Sequence, residues 1–357
     1  MPNLKIDEPF ALDLGGELPG LELTWEEWGD ADAPPERTVM VMPALSASCH
    51  ARSSADDPEP GWWEGMIGPG LGIDTDRYRV ICASILGSPF GSTSPVSINP
   101  ETGKRWGPEF PQITPADQAN VHARLLDHLG LEKIHAVVGS SLGGMQALQF
   151  GALHPDRIDV LVSIVATGKT TPGTVALRRV GRLAILLDPG YADGWYEPGE
   201  GPTRGLAIAR ELGTITYRSR DEFNQRFDWN PDRPRSYEDL AFEVEQYLAH
   251  QARRFVHRFD ANCYLVLSRC MDMMDLGSGQ PTYADGVLRI KARTAIYGVD
   301  RDLLIPASEQ LHLSHLLENH GRRVRHEILS SMYGHDAFLK EFDWFGPRIR
   351  RALDEEW

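Results

Sequence analysis

A mostly parallel α/β sheet with helices on both faces, interrupted by a helical insertion, is the architecture this sequence predicts. Three observations predict it. Short β-branched runs recur at spacings too wide for hairpins, helix-forming stretches fill several of the gaps, and one long stretch breaks that rhythm. The strand-like runs are residues 21–28, 38–42, 78–85, 134–138, 160–165, 294–297 and 324–328. Helical spacing is clearest at 115–129 and 145–154, and again in an amphipathic run near 344–353. From about residue 169 the chain turns rich in Arg, Glu and Tyr at helical spacing, and strand-like runs resume near Ile290. The division that follows is a core of residues 1–168 and 284–357 with a helical lid of residues 169–283. Residues 30–36 and the Gly/Pro-rich run 189–205 read as loops.

Composition narrows the function. At 357 residues the chain can bury a large core, and 41% hydrophobic with 24% charged residues is ordinary for a globule. A net charge of −15 repels a phosphate backbone, so nucleic acid is not an expected partner, and an anionic ligand must rely on local Arg or Lys. Cys49, Cys82, Cys263 and Cys270 form no CxxC pair or zinc pattern, so reduced thiols and no metal are expected. Asp7, Glu8 and Asp13 stand where a signal peptide needs apolar residues, and no run reaches membrane-spanning length. A cytoplasmic protein that contacts no membrane is expected.

The densest chemical signal lies in IHAVVGSSLGGMQALQF, residues 134–150. An apolar strand runs into Gly139-Ser140-Ser141-Leu142-Gly143, and helix formers follow at once. Glycines flank Ser141 at both positions where a sharp strand-to-helix turn has no room for a Cβ. This is the serine elbow of an α/β-hydrolase sheet, which presents the hydroxyl at the start of a helix. The alternative role for Ser141 is simply to cap that helix.

A serine hydroxyl needs an imidazole to take its proton, and the imidazole needs a carboxylate to fix its tautomer. On this fold the acid precedes the histidine and both follow the serine. Of the 12 histidines, His335 alone follows the last predicted strand in a glycine-preceded loop, Met332-Tyr333-Gly334-His335-Asp336. The loop after RTAIYGV offers both Asp300 and Asp302, and spacing does not choose between them. Backbone N–H groups for an oxyanion are expected from Leu142 and from Leu45, in the loop after TVMVM. GPGLG at 68–72 lacks the full dinucleotide-binding pattern and reads as a loop.

Several long segments resemble one family. They include GWWEGMIGPGLGIDTDRYRVI (61–81), LGSPFGSTSPVSINPETGKRWGPEFP (86–111), VVGSSLGGMQAL (137–148), RGLAIARELGTITYRS (204–219), RFDANCYLVLSRCMDMMD (258–275) and YGHDAFL (333–339). Over nearly its whole length the chain resembles the homoserine O-acetyltransferases. That branch of the α/β-hydrolase superfamily includes homoserine and serine O-succinyltransferases and a fungal deacetylcephalosporin C acetyltransferase. The resemblance implies Asp302, in Asp302-Leu303-Leu304-Ile305-Pro306, as the acid, and His335 as the base. It also implies that Arg210 and Tyr217 face an amino-acid carboxylate and that Asp336 holds the ammonium group. A zwitterionic substrate needs one fixed cation and one fixed anion.

The resemblance implies a serine-based ping-pong transfer of an acetyl group from acetyl-CoA to the hydroxyl of L-homoserine, a step of methionine biosynthesis. Acyl-CoA acts as co-substrate, no cofactor is permanently bound, and a homodimer is expected. The insertion would act as a lid excluding water. One departure bears on the acyl group. Many acetyltransferases of this kind read Leu-Gly-Gly-Cys where this chain has Leu86-Gly87-Ser88-Pro89, which leaves succinyl-CoA as donor and serine as acceptor as alternatives. Ester hydrolysis on the same triad is the rival reading, and a non-catalytic binding module is another.

Overall fold

The computed structural model describes residues 2–197, 199–232, 236 and 239–354. Its strands, in chain order, are β1 (Asn3–Ile6), β2 (Phe10–Ala11), β3 (Glu17–Leu18), β4 (Leu21–Trp28), β5 (Thr38–Met42), β6 (Arg79–Ala83), β7 (Ile134–Ser140), β8 (Ile158–Ile164), β9 (Arg293–Val299) and β10 (Val324–Leu329). Among the described residues eight of them form one sheet in the order β1-β4-β6-β5-β7-β8-β9-β10, and β2 and β3 form a separate hairpin. From β6 to β10 every pairing is parallel, while β4 runs antiparallel to both β6 and β1. Every residue of β5 and β7 is buried. Parallel strands covered on both faces are uniformly apolar, which is why these runs stood out in the sequence.

Helices α1 (Pro115–His128) and α2 (Leu142–Leu153) supply the crossovers around β7. Thr114 and Asp117 cap α1 reciprocally, with Pro115 at its first position, so the predicted start is also the observed one. Between β8 and β9 come α3 (Pro172–Leu186), α4 (Thr203–Tyr217), α5 (Arg220–Arg226), α6 (Glu243–Val256), α7 (Ala261–Asp272) and α8 (Tyr283–Val287). No strand of the sheet falls in this stretch among the described residues. Helix α4 packs between α3 and α6, α7 lies against α3, and α4 also meets the short turn Gly334–Leu339. A further crossover, α9 (Ala307–Asn319), joins β9 to β10, and α10 (Phe342–Leu353) closes the chain.

Among the described residues two hydrophobic cores result, one on each face of the sheet. The first is lined by α1, α2, α7 and α9, the second by α10 and the segment around Trp63, Met66 and Ile73. In α10, Phe345, Ile349, Ala352 and Leu353 recur at helical spacing and are buried together. Three features escape the sequence pattern. The strands β1 to β3 are too short to show a period. The crossover α9 mixes polar and apolar residues, and the reversed direction of β4 has no local signature. Helix α2 begins three residues before its apparent start because Gly143 and Gly144 dilute the helical signal.

Candidate active site

Ser141 sits at the junction of β7 and α2 with φ 55° and ψ −120°, a left-handed conformation that an ordinary side chain avoids at a cost of about 1–3 kcal/mol. The turn is held from both sides. The Ser141 N–H donates to the Ile164 carbonyl of β8 at 2.9 Å, and its own carbonyl accepts from the Met145 N–H at 3.0 Å. A Cβ on Gly139 would overlap the Gly143 carbonyl, and one on Gly143 would overlap the Met42 carbonyl. Both glycines are therefore dictated by close backbone approach.

His335 and Asp302 arrive from the two loops after β10 and β9. His335 Nε2 lies 2.8 Å from Ser141 Oγ, and His335 Nδ1 lies 2.7 Å from Asp302 Oδ2. The other oxygen, Asp302 Oδ1, accepts the N–H groups of Leu304 and Ile305, each at 2.8 Å. Both carboxylate oxygens are thus committed, which fixes the orientation of the imidazole behind Ser141. Asp300 does something else. Its oxygens accept from Ser330 Oγ at 2.7 Å and from the Ser331 N–H at 3.1 Å, tying the two loops together. The three linked side chains are nearly dry, with Ser141 7%, Asp302 5% and His335 3% exposed.

Ser141 and His335 open into a cavity of about 200 Å³. Leu45 lines it from the loop after β5, and Leu142 opens α2, where the N–H groups of the first turn have no intrahelical acceptor. A layer behind the elbow braces that loop. Buried His122 of α1 meets Gln146 Oε1 of α2 at 2.7 Å, and Gln146 Nε2 donates to the Pro43 carbonyl at 3.4 Å. Burial holds the His122 imidazole down at about 4, so it is neutral here and donates from Nε2.

The opposite wall comes from the helices. Arg210 and Tyr217 of α4 line the cavity with Asp336, the neighbour of His335. The Arg210 guanidinium stands 4.9 Å from the Phe255 ring centroid and 5.8 Å from that of Tyr217, and among the described residues its Nε has no hydrogen-bond partner. Burial pushes the Asp336 carboxyl up, against the pull of Arg218, 3.6 Å away, and of His335 and Arg210. Burial likewise raises the Tyr217 phenol, with Arg210 opposing it. Sequence reasoning missed Arg258 and Trp62, which also line the cavity, and gave Arg258 no role although it opens the segment 258–275. Arg258 Nη2 donates to the Ser46 carbonyl at 2.9 Å, bracing the Leu45 loop from the helical side.

Outside this cavity, among the described residues, Glu26, His50 and Asp57 converge closely enough to suggest a metal. His50 Nδ1 meets Glu26 Oε2 at 2.9 Å and Nε2 meets the Glu59 carbonyl at 2.7 Å, so both ring nitrogens serve as donors and neither offers a lone pair. Burial disfavours the charged ring, yet the Glu59 carbonyl and the Glu26 carboxylate together raise its pKa. All four cysteines are buried and none forms a disulfide. No helix among the described residues is long and apolar enough to cross a membrane.

Parallel strands in this order, with a strained serine on the turn into the helix after β7 and a histidine from the last loop against it, define an enzyme of the α/β-hydrolase class. A family profile described as alpha/beta hydrolase fold matches residues 39–342. Within that class the chain belongs to the homoserine O-acetyltransferase family and is an acyltransferase. It is 42% identical to the serine O-succinyltransferase of Litchfieldella anticariensis, across 98% of this chain and 97% of that protein. It is also 42% identical to the homoserine O-acetyltransferase of Symbiobacterium thermophilum, across 98% of this chain and 93% of that one. Two solved structures resemble it closely. The homoserine O-acetyltransferase from Bacillus anthracis has a TM-score of 0.90 at 25% identity, covering 99% of this chain and 98% of its own. Esterase E22, as its L374D mutant, reaches 0.91 at 28% identity with the same coverage.

Proposed function

We propose that Ser141, His335 and Asp302 are a catalytic triad that moves a short acyl group from a coenzyme A thioester to the hydroxyl of L-homoserine, in two half-reactions. The observation that carries this reading is the continuous hydrogen-bonded line from Ser141 Oγ through His335 to Asp302, opening on a cavity with a cation and an anion in its walls. In the first half, Ser141 Oγ attacks the thioester carbonyl while His335 Nε2 takes its proton. The N–H groups of Leu45 and Leu142 hold the oxyanion, the C–S bond breaks, and His335 returns the proton to the departing thiolate. In the second half, the homoserine hydroxyl gives its proton to His335 and attacks the serine ester, and Ser141 leaves with that proton. Asp302 stays ionised throughout and fixes the histidine tautomer.

Arg210 with Tyr217 would take the acceptor's carboxylate, and Asp336 its ammonium group. Homoserine and serine differ by one methylene, a discrimination of about 1–3 kcal/mol. Acetyl-CoA is the donor implied by most of the relatives' names, and succinyl-CoA the one implied by the Litchfieldella relative. The product with homoserine is an activated ester for methionine biosynthesis in the cytoplasm. The stretch 169–283 would act as a lid on a core of residues 1–168 and 284–357, although α8 crosses that boundary. Exposed Val180, Leu187, Ile208 and Ile215 on this stretch support a homodimer through it. Light scattering at twice the 39.8 kDa chain mass is the result expected of that dimer.

A second reading, ester hydrolysis, draws on the likeness to esterase E22. Incubating the protein with acetyl- or succinyl-CoA and either homoserine or serine separates the two. Transfer gives O-acyl amino acid equal to the thiol released, and an acylated Ser141 when the acceptor is withheld. Thiol release that ignores the acceptor and yields only free acid would favour hydrolysis.

A further inference from the structure

Two polar side chains stand inside the apolar layer where α1 packs on α2. His122 and Gln146 are fully buried, and their neighbours along the two helices, Leu125, Leu126, Met145 and Leu148, are buried and apolar. The imidazole meets Gln146 Oε1 at 2.7 Å, and Gln146 Nε2 donates to the Pro43 carbonyl at 3.4 Å. With the ring neutral and its proton on Nε2, the line runs one way: His122 donates to Gln146, and Gln146 donates to the backbone just after β5. His122 Nδ1 finds no partner among the described residues. An apolar pair of similar size would fill this layer with no polar atom to desolvate, so packing alone does not account for these two residues.

What the pair holds does account for them. Pro43 opens the loop that carries Leu45. Ala44 lies between two peptide planes, each pinned through its carbonyl, that of Pro43 by Gln146 and that of Ala44 by the Ala47 N–H at 2.9 Å. A planar trans peptide puts its N–H opposite its carbonyl, so pinning the Ala44 carbonyl aims the Leu45 N–H. Further along, Arg258 Nη2 holds the Ser46 carbonyl at 2.9 Å. The start of the loop is also pressed against α2, where a Cβ on Gly143 would overlap the Met42 carbonyl and crowd that of Pro43. Gln146 stands one turn along α2 from Leu142, whose N–H is the other donor expected for the oxyanion. It therefore fastens the loop donor to the helix that bears its companion.

We propose that Gln146, oriented by His122, is a positioning residue for the oxyanion hole, fixing the Leu45 N–H relative to that of Leu142. The assignment rests on the acyl-transfer reading given above. Both side chains stand behind the elbow and act through the backbone they hold. Their effect falls on both half-reactions, because each tetrahedral intermediate places its negative oxygen against the same two donors.

The test uses Gln146→Met, which keeps the length of the side chain and loses its donor. With acetyl-CoA and homoserine, kcat should fall about 100-fold while the acceptor KM stays within a few-fold. The urea midpoint at pH 7 should be unchanged or raised, since the layer becomes wholly apolar. The deciding readout is inhibition by an aliphatic trifluoromethyl ketone, whose hemiketal oxygen on Ser141 occupies the oxyanion position. That inhibition should weaken by about the same factor as kcat. His122→Leu should show the same pattern at about 10-fold, and His122→Gln, which can still donate to Gln146, should restore most of the rate. Unchanged ketone inhibition in folded Gln146→Met would overturn the proposal. Should that variant fail to fold, the His122 variants decide, and equal rates in Leu and Gln sink the idea. Ser141-dependent transfer to homoserine with ketone inhibition indifferent to Gln146 would leave the acyl-transfer reading standing and remove only this inference. Ketone inhibition that depends on Gln146 in a protein that transfers no acyl group would do the reverse.

Discussion

The cavity has two walls of opposite character. On the sheet side, Ser141, His335 and Asp302 have their polar atoms paired with one another or with backbone N–H groups. On the helical side, Arg210 keeps a buried Nε donor that nothing among the described residues answers. The first wall is complete by itself, whereas the second keeps an open donor among the described residues. Such a division is what group transfer asks for. In the proposed two-step transfer the reacting groups hold one geometry throughout, so they are locked by neighbours whose positions the fold has already fixed. Recognising groups gain selectivity when their desolvation is answered only by the right partner.

The contrast predicts effects of graded size. Breaking the paired wall should cost most. Ser141→Ala should abolish acyl-enzyme formation in a mass-spectrometric assay, and Asp302→Asn should lower kcat about 10⁴-fold by releasing the histidine tautomer. Asp300→Asn, two residues away, should leave kcat within a few-fold, because Asp300 only joins loops. If Asp300 proved the costly one, the assignment of the acid would be reversed. On the unpaired wall, Arg210→Leu should raise the acceptor KM about 100-fold while the burst of thiol release in the first half-reaction persists. A burst lost in proportion would mean that Arg210 belongs to the first wall.

Acidity should act at the same place with a smaller effect. Burial raises the Asp336 carboxyl, so it protonates at a higher pH than an ordinary aspartate and loses the charge proposed to hold the ammonium group. The acceptor KM should therefore climb as pH falls towards that raised value, and Asp336→Asn should flatten the profile. A profile unchanged in the variant would place the titration elsewhere.

A last effect, on stability rather than on rate, concerns the brace behind the elbow. His122 has a folded pKa of about 4 against an unfolded value near 6.5, so the unfolded chain binds the proton first. Stability from this group is present above pH 6.5 and is lost as pH falls towards 4, by up to about 3 kcal/mol. Urea unfolding at several pH values should show that loss in the wild type and a shallower one in His122→Gln.

Much of the first wall was legible and little of the second. Ser141 announced itself because a backbone too crowded for Cβ atoms demands glycine at 139 and 143, a purely local requirement. His335 could be singled out because chain order on this fold puts the base after the last strand. Asp302 and Asp300 could not be separated by spacing, since their difference is which oxygen faces which loop. The arginines were harder still. Arg258 looks like any charged residue at the approach to a helix, and only packing showed it to stand at a cavity's edge. The resemblance carried Arg210, Tyr217 and Asp336 to the site; their own surroundings in the chain did not.

Alone, the sequence determined what depends on neighbours in the chain: buried strands, capped helices, the glycine-clamped turn and the order of its chemical groups. Tertiary structure alone decided which distant groups meet. Ser141 and His335 are 194 residues apart. Backbone sterics and hydrophobic period act over a few residues and leave a local trace. Contacts across such separations arise from how whole layers pack, and no short window of sequence records that.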